Sequence, residues 1–172
     1  MKFTVDVIYG GELLNDLKKS VRLNASQEIN RHLFKLVFLC GKELSDENST
    51  NPCNRRKVKG FLKRHRNDVK CINVEKLTGK LLDQEKLNLL TFEEFIAALS
   101  DAIILFAESW GSVCELGAFS ASDSLARKMV VINDKQHINS LSFISQGPIA
   151  KLEGLGVDKV IYTDNDAIFA NP

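Results

Sequence analysis

Apolar residues fall along this chain in short, nearly unbroken runs, each followed by a break and then by a stretch with helical spacing. Phe34-Lys-Leu-Val-Phe-Leu-Cys40 is the first clear run, ended by Gly41. Val69-Lys-Cys-Ile-Asn-Val74, residues 102–107, Lys128-Met-Val-Val-Ile-Asn133 and Lys159-Val-Ile-Tyr-Thr163 follow. Runs of this length suit strands of a parallel sheet covered on both faces, and are too short to span a membrane. Between them the spacing predicts a basic helix from about Asn54 to His65. A second helix runs from an N-cap at Thr91 through Leu99, with Glu94 completing a capping box. A third opens at Ser112 and runs to about Ala126, and a short one follows Gly147-Pro148. Phe92, Phe95, Ile96 and Leu99 recur at the spacing of a core-facing stripe.

Strands alternating with helices of this length predict an α/β fold: a doubly wound, Rossmann- or flavodoxin-like parallel sheet of about five strands with flanking helices. Residues 1–33 are less regular. They hold an alternating Phe3–Tyr9 segment ended by Gly10-Gly11 and two short helical stretches, and read as an N-terminal extension packed on the core. Residues 34–172 form the main domain. Residues 77–90 read as a loop with a short helix.

Composition narrows the function. With 172 residues, 44% hydrophobic and 26% charged, the chain is long enough for a sizeable core. A net charge of +1 predicts no global attraction to nucleic acid or to a membrane surface. No apolar stretch approaches a transmembrane helix, and no long apolar segment follows Met-Lys-Phe, so the expected location is cytoplasmic. Cys40, Cys53, Cys71 and Cys114 lack CxxC spacing and read as free thiols. His32, His65 and His137 are scattered, so no metal site is expected.

In an open parallel sheet, chemistry gathers where the strands end in carboxyl-terminal loops. Those positions here are Cys40 and Gly41, then Glu75, then Ser109, Trp110, Gly111, Ser112 and Glu115, and finally Asn133. Glu115 stands out. If Ser112 caps the helix, Glu115 lies in its first turn, where amide hydrogens and the positive helix end hold a carboxylate ionised. The same Ser112-Val-Cys-Glu115 string also fits a capping box in which Glu115 only returns a bond to the backbone. Gly41 and Gly111 would let a ligand approach the backbone. Neither belongs to a GxGxxG or GxxxxGK[ST] string, which argues against a dinucleotide fingerprint or a P-loop.

The basic run Arg55, Arg56, Lys57, Lys59, Lys63, Arg64 and Arg66 is explained most simply as a solvated helix surface. On a helix, Val58, Phe61 and Leu62 are expected inward, with Arg55, Lys59 and Lys63 on an outward face. Arg55 or Arg56, close to Gly41, could also hold a phosphate, and the distal lysines could meet a nucleic-acid backbone. Asp101 precedes a strand, at the wrong end for catalysis, and reads as a strand-start residue.

Several segments together resemble a known family. Phe38-Leu-Cys-Gly41, Asn73-Val-Glu-Lys-Leu77, Leu89-Leu-Thr-Phe-Glu93, Ala107-Glu-Ser-Trp-Gly-Ser-Val-Cys-Glu-Leu-Gly-Ala-Phe-Ser120 and Ser142-Phe-Ile-Ser-Gln-Gly-Pro148 look like the signature blocks of retron-associated anti-phage effectors of the nucleoside 2-deoxyribosyltransferase-like group. They occur in the expected order between about residues 34 and 163. The resemblance implies an N-glycosidase that cleaves the bond between base and sugar in a nucleotide, nucleoside or NAD, with Glu115 as the catalytic acid. It implies that Glu75 binds sugar hydroxyls or polarises the base, and that Gly111-Ser112 faces phosphate or sugar. Ser109 stands where transferases of the group carry a sugar-binding Asp, which favours hydrolysis over transfer. Trp110 stands where the family usually has proline, which implies either a different turn or an indole that stacks on a base.

The resemblance implies no bound cofactor, NAD or a nucleotide entering only as substrate. It also implies a homo-oligomer, with which Phe119 and Ile168 are compatible, though buried core positions explain them as well, and a partnership with a retron reverse transcriptase and its RNA–DNA hybrid. Related effectors often carry a further carboxyl-terminal region, sometimes a winged helix. The expectation here is a minimal version, or one subunit of a multi-protein system. The competing expectation is a non-catalytic nucleotide-binding sensor or scaffold subunit of a defence complex.

Overall fold

All five predicted strands form in the computed structural model, which describes residues 34–42, 53–74 and 88–164. In chain order these are β1 (Lys35–Cys40), α1 (Asn54–His65), β2 (Val69–Ile72), α2 (Leu89–Leu99), β3 (Ala102–Phe106), α3 (Trp110–Ala121), α4 (Asp123–Ala126), β4 (Met129–Asp134), α5 (Ala150–Glu153) and β5 (Val160–Thr163). A single turn of 3-10 helix at Lys135–His137 follows β4, and a π-helical turn at Ser145–Ile149 leads into α5. The strands pair in the order β2-β1-β3-β4-β5, every pair parallel. That is the flavodoxin-like order, whose direction of winding reverses between β1 and β3. The expected doubly wound sheet is present. The predicted extension at 1–33, the 77–87 part of the expected loop, Glu75 and Ile168 lie outside the described residues.

Both faces of the sheet are covered, which is why its strands read as continuous apolar runs rather than as alternations. On one face Phe38, Cys40, Ile103, Leu105, Met129 and Val131 join Phe92 and Ile96 of α2, Leu116 and Phe119 of α3, and Leu152 of α5 in the larger core. On the other face Val37, Leu39 and Phe106 pack with Val58 and, at its margin, Leu62 of α1. Phe119 lies over Phe38 with ring centroids 6.1 Å apart. It is wholly buried, so it offers no surface for assembly.

Helix boundaries depart from expectation where two residues compete to cap. Asn88, not Thr91, caps α2, its side chain accepting from Leu90 N at 3.0 Å. The long helix expected from Ser112 to Ala126 begins earlier and is broken at Ser122, where the backbone turns extended and separates α3 from α4. The chain turns helical before Gly147-Pro148 rather than after it, and the π turn takes Pro148 inside it. A π turn suits proline because the ring removes a donor and crowds the preceding turn. At the far end of α2, Lys128 Nζ donates to Ala98 O (2.7 Å) and Ser100 O (3.0 Å), placing a cation on the negative helix end.

The amino edge of the sheet is fixed by Asp101, as its sequence position predicts. Its Oδ2 accepts from Leu36 N at 2.8 Å, and Oδ1 lies 3.6 Å from Lys35 Nζ. The backbone hydrogen bond first, and the nearby Lys35 and Lys128 charges after it, hold the Asp101 carboxyl below its ordinary range. A carboxyl depressed in the folded state stabilises fully above the unfolded pKa, and that stability is lost as pH falls through the folded value. Asp101→Asn keeps an acceptor for Leu36 but not the charge. It is expected to flatten the fall of the urea midpoint as pH drops from about 5 towards 2. An acid limb of unchanged slope would show that Asp101 contributes nothing to it.

Candidate functional site

The carboxyl edge of the sheet carries an open cleft of about 470 Å³, within the range of small-molecule sites. Among the described residues, three loops contribute to it. Lys42 comes from the turn after β1, Ala107, Glu108, Ser109 and Trp110 with Val113 from the β3–α3 connection, and Gln136 and His137 from the turn after β4. It therefore lies beside the β1/β3 reversal, where open sheets of this order bind ligands. Trp110 is 89% exposed, so one face of its indole is available to a planar group.

The start of α3 differs from the sequence expectation in a way that changes the standing of Glu115. Ser109 caps the helix: its Oγ accepts from Ser112 N at 3.2 Å, while Ser112 Oγ accepts from Ser109 N at 3.0 Å. This closes the capping box one turn before Glu115, and the first turn of α3 holds no acid. Glu115 is the sixth helical residue, in the second turn, so the helix end supports its charge less than expected. The same geometry removes the alternative in which Glu115 serves as the capping partner of Ser112.

Glu115 stands one turn before Phe119 on α3, about 6 Å nearer the helix start. Glu115 is therefore nearer than Phe119 to the start of α3, on the helix that covers the larger core. The residue is half-buried, and its Oε2 is shielded from solvent. It is not among the residues lining the cleft.

The other candidates divide. Ser109 and Trp110 line the cleft. Gly41 adjoins it, with φ +153°, a conformation that L side chains rarely adopt. Gly111 is exposed, and a Cβ there would meet nothing closer than Ser109 Oγ at 4.0 Å, so the space before it is open. Ser112 is buried within its cap. Cys40 is 1% exposed and belongs to the larger core. Asn133 is also buried, on the same face as Met129 and Val131, and its Oδ1 accepts from Asp134 N at 3.0 Å.

Arg55 is corrected outright. It is only 3% exposed, and its Nη1 donates to Leu39 O at 3.4 Å. The stripe facing the sheet is Arg55, Val58 and Leu62, which turns Phe61 to the surface, where it is 41% exposed and meets His65 in a tilted ring contact at 4.5 Å. Arg56 is half-buried and away from the cleft lining.

Sequence reasoning missed Glu108, Lys42, Gln136 and His137 as cleft residues, and Asn54 as a support. Glu108 had a legible signal, since it immediately follows the strand-three run. Asn73 was missed too. It is 5% exposed, and neither its amide nitrogen nor its oxygen has a hydrogen-bond partner among the described residues, an arrangement that costs about 1–3 kcal/mol per group.

Fold and cleft together define an α/β protein with a ligand-sized site at the switch point of a parallel sheet. The chain belongs to the STM3845 retron effector protein family, whose model matches residues 51–170. It is 39% identical over 119 residues to an Escherichia coli protein of retron Ec73, named provisionally as a ribosyltransferase/DNA-binding protein, covering 67% of this chain and 37% of that one. A retron Ec86 protein of the same organism, named in the same terms, is 36% identical over 126 residues, covering 73% of this chain and 39% of that one. The chain thus spans less than two fifths of the length of these curated relatives. Among the described residues no helix is long and apolar enough to cross a membrane.

Proposed function

We propose that the chain is the base-releasing unit of a retron defence effector, cleaving the N-glycosidic bond of a nucleotide, nucleoside or NAD with Glu115 as its catalytic carboxylate. The observation that carries this is the placement of the cleft: it opens at the β1/β3 reversal, and the α3 helix that bears Glu115 begins in its wall. Breaking that bond builds positive charge on the sugar carbon, and a carboxylate beside it stabilises the charge or captures the sugar covalently. Water then completes hydrolysis. Ser109 in place of an acid favours water over a second base as acceptor. Trp110 stacks on the base; the family supports a retron effector, and the names of the E. coli relatives support glycosyl chemistry. The same reading has the protein working in the cytoplasm as a homo-oligomer, alongside a retron reverse transcriptase and its RNA–DNA hybrid.

A second reading has one observation in its favour. Glu115 is half-buried and outside the cleft lining, as a ligand sensor or scaffold subunit without chemistry would tolerate. Incubation with NAD, deoxynucleosides and their monophosphates, followed by chromatography, separates the two. Release of free base from any of them is the expected result. No release, together with a rise in melting temperature on adding a nucleotide, establishes the sensor and removes the enzyme.

A further inference from the structure

Glu108 joins the two loops that flank the β1/β3 reversal. Its Oε1 accepts from Lys42 N at 3.2 Å, and its Oε2 accepts from Asn54 Nδ2 at 3.0 Å. Asn54 is only 7% exposed and opens α1, so the second arm reaches a fixed point. The Glu108 backbone N–H donates to Ser112 Oγ at 3.2 Å, inside the cap of α3. One residue therefore ties the turn after β1, the start of α1 and the start of α3 into one wall.

Gly41 shows how closely the turn rests on that carboxylate. A Cβ at Gly41 would stand 3.1 Å from Phe106 Cβ and 3.3 Å from Glu108 Oε1, in a backbone conformation at φ +153° that side chains disfavour. The turn is therefore held closely against the carboxylate.

We propose that Glu108 is the positioning residue of the cleft, clamping the Gly41–Lys42 turn to the end of β3 so that Lys42 stands where the substrate's phosphate binds. This deepens the functional reading above and rests on it for the identity of the substrate. Both carboxylate oxygens are directed at protein donors, which fits a clamp rather than a group that exchanges protons with substrate. A glutamine keeps an oxygen for Lys42 N, the arm that fixes the turn, and gives up the acceptor for Asn54.

The test uses the full chain, with NAD and deoxyadenosine monophosphate as probes, read by base release and by calorimetric binding. Glu108→Ala is expected to raise KM, or Kd where a probe binds without reacting, by about tenfold or more, with kcat within about threefold. Glu108→Gln is expected to stay within about threefold of wild type in both constants. Asn54→Asp sets two carboxylates against each other and is expected to reproduce the alanine phenotype, which keeps the clamp testable if Glu108→Ala does not fold. Gly41→Ala is expected to do the same from the opposite side.

A merely structural role would lower the melting temperature and the active fraction while leaving KM in place, and would overturn the proposal. A rise in KM in Glu108→Gln equal to that in Glu108→Ala would also overturn it, because the charge itself would then be at work. Wild type that neither binds nor cleaves either probe removes the functional reading and this inference together. Active wild type with unchanged constants in Glu108→Ala removes this inference alone.

Discussion

Glu115→Gln is expected to slow base release by at least roughly a thousandfold while leaving the melting temperature within about 3 °C of wild type. The substitution keeps the shape and removes the charge. Ser109 and Ser112 close the helix cap between themselves, so the substitution leaves the cap of α3 intact. Its half-buried position also means that a neutral amide is no harder to accommodate than a carboxylate. Rate and stability should therefore separate cleanly. A mutant that releases base at the wild-type rate would strip Glu115 of its proposed role and leave Glu108 as the carboxylate to examine on the cleft wall.

Phe119→Ala carries the second large effect, through stability. The ring is fully buried, packs against Phe38 at 6.1 Å and anchors the stripe of α3 that includes Ser112, Leu116 and Ser120. Removing it leaves a cavity between helix and sheet, with an expected loss of about 3–5 kcal/mol in urea unfolding. Glu115 sits one turn above that cavity, so base release should fall further than the folded fraction alone predicts. A loss below about 1 kcal/mol would mean that α3 is not pinned to β1 through this pair.

The sheet was legible because its strands are buried on both faces, and burial on both faces writes itself as runs such as residues 102–106. The class of fold and the order of elements followed from those runs, and the cleft lies at the edge they point to. Helix starts were less legible. Ser109 and Ser112, like Asn88 and Thr91, are all good caps, and tertiary packing chose the earlier one in each case. That choice moved Glu115 out of the first turn. Arg55 misled for another reason: it shares a helical stripe with Val58 and Leu62, yet its charge suggested an outward face. A buried guanidinium held by a strand carbonyl is a tertiary arrangement that no local pattern encodes. Glu108 was hidden in plain view, because its partners Lys42 and Asn54 lie 66 and 54 residues away.

Strand β3 inserts between β1 and β4, and its first residue pairs with one 65 positions earlier, Val37 with Ala102. Such distant pairings form slowly, since a long loop must close before any contact repays it. The three loops of the cleft follow β1, β3 and β4, so no partly synthesised chain lacking β4 can assemble it. For whatever ligand the cleft takes, this builds in a delay: binding capacity appears only once the topology of the sheet has closed.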